Sequence, residues 1–92
     1  MDADSIRDKA HEVLITGKLP ARVPDRSWGG PGSGEKCSIC KAPVPHDEVE
    51  FELEFVRAEG VTTHHIHVAC FTAWECERDA LNLAQDRLKR SA

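Results

Sequence analysis

The sequence predicts an α+β fold in the order helix, irregular loop, β-hairpin, helix. Three observations carry that expectation. Residues 48–55 alternate strictly between glutamate and an apolar side chain, a β-branched run follows one short turn later, and apolar residues recur at helical spacing towards both ends of the chain. Alternation at period two marks a half-buried strand, and recurrence at three and four residues marks an amphipathic helix.

The elements follow in order. Asp4 or Ser5 can cap a first helix in which Ile6, Ala10, Val13 and Leu14 share one face. Gly17 suits the left-handed position after the helix, and Pro20 prevents its resumption. So short a helix is marginal alone, so its apolar stripe must dock on something. Leu19 to Lys36 reads as an irregular connector, with Pro20, Pro24, Pro31 and four glycines, and Trp28 is expected to fold over the core. In the first strand Val49, Phe51, Leu53 and Phe55 face a core and the glutamates face water. Residues 57–60 make a turn, and Val61 to about Val68 pairs back as the second strand. The last helix runs from about Ala69 to Arg90, with Cys70, Trp74, Leu81, Ala84 and Leu88 roughly along one stripe. That stripe nearly fits a heptad seam, interrupted by Glu77, which predicts a monomer or a weak homodimer. One compact domain is expected overall, divided into an N-terminal docking helix (1–19), a Gly/Pro-rich connector (20–36) and a hairpin–helix module (37–92).

Composition narrows the function. Ninety-two residues bury only about 60–65% of their unfolded surface, so a staple would add much to stability. The net charge of −4 argues against general nucleic-acid affinity. No apolar run is long enough to span a bilayer, and no signal-peptide core precedes the first helix, which predicts a cytoplasmic protein without a membrane partner. In that compartment four cysteines point to metal or redox chemistry rather than disulfides.

The glycine-rich stretch G-G-P-G-S-G-E-K-C, residues 29–37, superficially suggests a phosphate-binding loop. Gly29 and Gly34 have the right separation, but Glu35 stands where the lysine belongs and would repel a phosphate, and no buried strand leads into the loop. The glycines instead let the backbone turn tightly as it approaches the cysteines. Cys37-Ser38-Ile39-Cys40 is a C-x-x-C, and His67-Val68-Ala69-Cys70 is an H-x-x-C, with 26 residues between Cys40 and His67. The first turn aims two thiolates at one centre, while a strand end and a first helical turn supply the opposite pair. Three sulfurs and one imidazole suit a tetrahedral structural Zn²⁺, one per chain, and a hairpin between the pairs is the arrangement of a treble-clef-like zinc finger. A thioredoxin-like redox pair would need a βαβ unit that this chain lacks. His65 is the alternative to His67 as ligand. Cys76 lies about 240° round the helix from Cys70; it is expected to be a buried small hydrophobe, the sharper reading being a thiol that exchanges with the site on oxidation. His11 and His46 are expected at the surface. A closed four-ligand site has no position for an activated water, so no enzyme is predicted.

The run C-S-I-C-K-A-P-V-P (37–45), the hairpin, and then H-V-A-C-F (67–71) resembles the zinc finger of the poly(ADP-ribose) polymerase type. The resemblance covers about Cys37 to Trp74 and implies Cys37, Cys40, His67 and Cys70 as zinc ligands. The first module of LIM domains is a looser match. Most of the chain is also similar to small bacterial proteins with a W-G-G-P-G-S-G…C-x-x-C…H-x-H-x-x-C-F-x-A-W pattern, a likeness that implies no activity. The middle is shorter here than in the polymerase-type pattern, and Lys41 stands where zinc knuckles often have glycine. Polymerase-type fingers bind DNA ends, whereas this middle carries Asp47, Glu48, Glu50, Glu52, Glu54 and Glu59 against Arg57 alone, a row that repels phosphates.

The expected function is therefore a small structural zinc protein acting as a protein-interaction or regulatory module, with another protein as partner. Nucleic-acid binding is the alternative, resting on Arg22, Arg26, Lys36 and Lys41, the tail residues Arg87, Lys89 and Arg90, and Trp28 as a stacking platform. A redox-sensing zinc switch is the third reading, motivated by Cys76.

Overall fold

A computed structural model describes residues 3–91; of the basic tail named above, the Arg90 side chain lies outside the described ones, as do residues 1, 2 and 92 of the predicted segments. The fold is α+β: helix α1 (Ala3–Ile15), strands β1 (Arg26–Pro31), β2 (Val49–Arg57) and β3 (Gly60–His67), and helix α2 (Val68–Ser91). The strands form one antiparallel sheet in the order β1-β2-β3.

Helix α1 buries Ala10, Val13 and Leu14, with Ile6 half-buried beside them. Gly17 takes φ 77°, a conformation that costs glycine little, and the Leu19 amide then returns to the Val13 carbonyl at 3.1 Å. This turn drops Leu19, fully buried, into the core. Glu77, which breaks the heptad pattern of α2, meets α1: its carboxylate bonds Arg7 Nε at 2.9 Å and lies 3.6 Å from His11 Nδ1.

The connector is not irregular throughout. Arg26–Pro31 pairs with β2 from Arg26↔Glu54 to Pro31↔Val49, making the predicted hairpin a three-stranded sheet. Two glycines and a proline disguise this strand, yet each is tolerated at an edge. Gly29 sits opposite Phe51, and a Cβ there would already touch the Phe51 ring at 3.4 Å. Asp25 pins the entry to β1: its carboxylate accepts the Val56 amide at 2.7 Å and Arg22 at 3.0 Å, and its own amide donates to the Glu54 carbonyl at 2.9 Å. Those bonds, to the Val56 amide and then to Arg22, hold the Asp25 carboxyl below the usual range. The Arg22 guanidinium also lies 5.2 Å from the Phe55 ring centroid.

The structure corrects three further expectations. Trp28 pairs with Glu52 rather than with a core residue, so it is carried onto the outward face and is 44% exposed. Val49, at the end of β2, is exposed, so the inward row consists of half-buried Phe51 with Leu53 and Phe55, both fully buried. Glu50 does not face water: it is buried beneath the Ser33 loop and His65. The hairpin turn falls at residues 58–59, with Arg57 opposite Gly60.

On the inward face Phe55 and Phe71 both abut Trp74, at 6.3 and 5.8 Å between centroids, and the Arg78 guanidinium lies 4.8 Å over the indole. The stripe of α2 is buried mainly in its first half, through Cys70 and Trp74 with Arg78 beside them, and Leu81 is half-buried beyond them. Helix α1 has 13 residues against 24 in α2, so it is too short to follow α2 to its end, and Ala84, Leu83 and Leu88 are exposed. Cys76 is also exposed rather than being a core hydrophobe. No described helix is long and apolar enough to cross a membrane.

Candidate metal centre

Cys37 and Cys40 sit in a tight turn closed by a bridge between Lys36 and Pro43. The Cys37 amide donates to the Ala42 carbonyl at 2.8 Å, and the Lys41 amide donates to the Cys37 carbonyl at 3.0 Å. Completing this turn requires a left-handed residue, and Lys41 supplies it with φ 70°. The turn therefore keeps its form without glycine, at a steric cost of about 1–2 kcal/mol, offset in part by the Lys41 ammonium donating to the Ser38 carbonyl at 2.9 Å.

Two bonds fasten this turn to β3. The Ser38 amide donates to the His65 carbonyl at 2.9 Å, and the Ser38 hydroxyl bonds His64 Nδ1 at 2.9 Å. His64 lies on the core face, edge-on to Phe55 at 5.8 Å, and burial, followed by repulsion from Arg57, holds its pKa below the ordinary histidine value. His64 is thus a neutral structural residue, placed opposite in parity to His65 and His67 as strand alternation requires.

His67 closes β3 and Cys70 lies in the first turn of α2. The chain passes from strand to helix between them without a loop, so both side chains turn towards the C-x-x-C. One donor atom from each of Cys37, Cys40, His67 and Cys70 lies within 4.8 Å of every other. The four side chains thus form a cluster able to hold a metal ion. His65 is not in this cluster; it turns to Glu50 and Glu52 instead. Cys76 is outside it as well.

The protonation pattern suits a metal. His67 Nε2 faces the Pro43 carbonyl at 3.2 Å. A carbonyl only accepts, so Nε2 carries the proton and Nδ1 presents its lone pair to the cluster, 3.4 Å from Cys40 Sγ. A carbonyl acceptor behind the imidazole is the usual outer support of a metal-bound histidine. Around Cys37 the Ile39 amide donates to the sulfur at 3.4 Å, and the amides of Cys40 and His67 also favour its thiolate. The Cys37 thiol is pulled down to about 4, first by the hydrogen bond from Cys70 and then, against the opposing effect of burial, by these amides. The same bond, with burial and the neighbouring sulfurs, pushes the Cys70 thiol upward. The two sulfurs compete for one proton, and a cation would release it, because the thiolate is the metal-binding form.

The Ser38–His64 bond and the Pro43 carbonyl have no sequence signal at this length. A pair of signals for the Glu50–Glu52–His65 grouping did exist: the Glu50-x-Glu52 alternation, and a two-residue turn that sets Glu52 opposite His65. No protein-family model matches the chain, and neither a curated protein nor a solved structure matches it.

Proposed function

We propose that the chain is a small structural zinc protein of treble-clef-like build, holding one Zn²⁺ through Cys37, Cys40, His67 and Cys70, and that it acts as a protein-interaction or regulatory module in the cytoplasm. The observation that carries the reading is the convergence of the four donor atoms. Three sulfurs and an imidazole form a soft set that favours zinc over calcium or magnesium. Cys37, Ile39, Val44 and Cys70 are all buried members of the one core cluster, so a bound cation would hold the turn, the sheet and α2 together. All four coordinating positions would be filled by protein, and the role is structural rather than catalytic.

An interaction role is supported by what the domain leaves uncovered. An open cleft of about 720 Å³ lies at the centre itself, lined by Cys40, His67 and Cys70 together with Ile6, Val49 and Val68, and Val49 and Val68 are exposed. An apolar side chain of a partner protein suits this cleft. The alternative, a nucleic-acid surface, is disfavoured because the outward sheet face that bears Trp28 also bears Glu52 and Glu54.

Chelation tests the structural part. Stripping metal from native protein is expected to collapse the amide dispersion in NMR spectra and the near-UV signal of Trp74, both returning with zinc. A fully native spectrum without metal would contradict it. For the interaction, Val49→Glu is expected to keep zinc and fold but lose the protein partner captured by cross-linking in cells; a cross-linking pattern unchanged by that substitution would remove the cleft from the account.

A further inference from the structure

The outward face of the sheet gathers a second set of donors. Glu50 and Glu52 project from β2, and His65 lies directly opposite Glu52 on β3. His65 Nδ1 is 2.9 Å from Glu50 Oε2 and 3.4 Å from Glu52 Oε1, and one donor atom from each of the three lies within 4.8 Å of the others. The Glu50 side chain is only 7% exposed, and those of His65 and Glu52 are each 24% exposed.

Two features separate this grouping from an ordinary ion pair. The first is the support behind Glu50. Its other oxygen, Oε1, accepts the Ser33 hydroxyl at 2.6 Å and the Ser33 amide at 3.2 Å. Ser33 therefore fixes the buried carboxylate with Oε2 aimed at the imidazole, as outer partners do for metal-bound carboxylates. Burial opposes ionisation here, but the bonds from Ser33 and His65 outweigh it and keep the Glu50 carboxyl below its usual range. The second is that both carboxylates turn to the same nitrogen. One imidazole nitrogen carries at most one proton, and that proton can bond well to Glu50 at 2.9 Å but not equally to Glu52 at 3.4 Å. A divalent cation taking the place of the proton would serve both carboxylates and the nitrogen lone pair together.

We propose that Glu50, Glu52 and His65 form a second metal site, taking a divalent first-row ion of the zinc or cobalt type. One imidazole and two carboxylates form a borderline donor set that suits these ions. With three protein donors and a partly exposed side at Glu52, the site keeps room for water or for a donor from another molecule. It lacks thiolates, so it binds more weakly than the cysteine cluster, and it does not depend on that cluster being a zinc centre.

Cobalt(II) titration of the full-length chain tests the proposal, because the two sites have different spectra. Thiolate ligation gives an intense sulfur-to-cobalt charge-transfer band; an imidazole–carboxylate site does not. The expected result is a first equivalent with that band and a second, weaker equivalent without it, followed by isothermal calorimetry. Removing an outer partner typically costs about 10–100-fold in affinity. Glu52→Gln and His65→Ala, which remove a direct ligand, should weaken the second equivalent at least about 100-fold while leaving the band intact as proof of fold. Ser33→Ala should weaken it about 10-fold. A single equivalent that carries the thiolate band, or a band-free equivalent that survives Glu52→Gln and His65→Ala, would overturn the proposal and leave an ion pair only. A single band-free equivalent lost in those variants would uphold it and refute the cysteine centre instead.

Discussion

Gly32→Ala should be among the most damaging single-methyl additions to this chain. A Cβ at Gly32 would lie 1.8 Å from the Pro45 carbonyl oxygen, 2.6 Å from its carbon and 2.7 Å from the Val44 oxygen. All three are backbone atoms, so no side-chain rotation relieves the clash. Reaching even 3.0 Å, a separation real Cβ atoms essentially never fall below, requires the two chain segments to separate by more than an ångström. The bonds that would stretch are Gly32 N–H to the Glu48 carbonyl at 2.8 Å, Gly34 N–H to the Val44 carbonyl at 2.9 Å and His46 Nδ1–H to the Gly32 carbonyl at 2.7 Å. Losing two of them costs about 1–3 kcal/mol, and overpacking adds about 1–3 kcal/mol. The loss is thus roughly 3 kcal/mol or more, a drop of about 12–24 °C in Tm for a domain of this size. Thermal unfolding followed by circular dichroism measures it, with Gly30→Ala as control. Gly30 has nothing within 4 Å of a Cβ, so its substitution should be neutral within about 0.5 kcal/mol or slightly stabilising. If Gly32→Ala melts within about 4 °C of the parent protein, the close approach of the glycine-rich loop to residues 44–45 is wrong.

Other substitutions separate the remaining elements. Lys41→Gly relieves the left-handed strain and should be neutral to about 1 kcal/mol stabilising in urea denaturation, whereas Lys41→Val should destabilise by about 1 kcal/mol or more. Trp74→Ala empties the centre of the aromatic cluster and should cost about 3–5 kcal/mol, measured by the same denaturation. Cys76→Ser should change stability by less than about 0.5 kcal/mol and leave metal content unaltered; metal lost more slowly to peroxide in this variant than in the parent would instead restore the redox-switch reading.

Particular residues show what the sequence could and could not reveal. The α+β class was legible because β2 and both helices carry strong periodicity, and the spacing of Cys37, Cys40, His67 and Cys70 selected the four side chains that the fold brings together. Strand β1 was hidden because its pairing comes from the free edge of β2 and not from its own R-S-W-G-G-P composition. The burial of Glu50 was hidden because a charged residue in an alternating strand reads as outward, and outward was assumed to mean wet; Ser33, seventeen positions away, covers it. Trp28 and Cys76 failed in the opposite sense. Both are residue types that favour interiors, but strand parity and helix rotation carry them to the surface, and neither can be read before partners and registers are known. The far end of the α2 stripe is legible as a pattern, yet what covers Leu83 and Leu88 depends on the length of α1.

The cysteine–histidine centre is tested most directly by elemental analysis of the native protein after gel filtration has removed weakly held metal. One tightly bound zinc per chain is expected, lost or sharply reduced in both Cys37→Ser and His67→Ala and retained in His65→Ala. Metal-free protein that remains folded, or zinc that survives Cys37→Ser and disappears in His65→Ala, would contradict it.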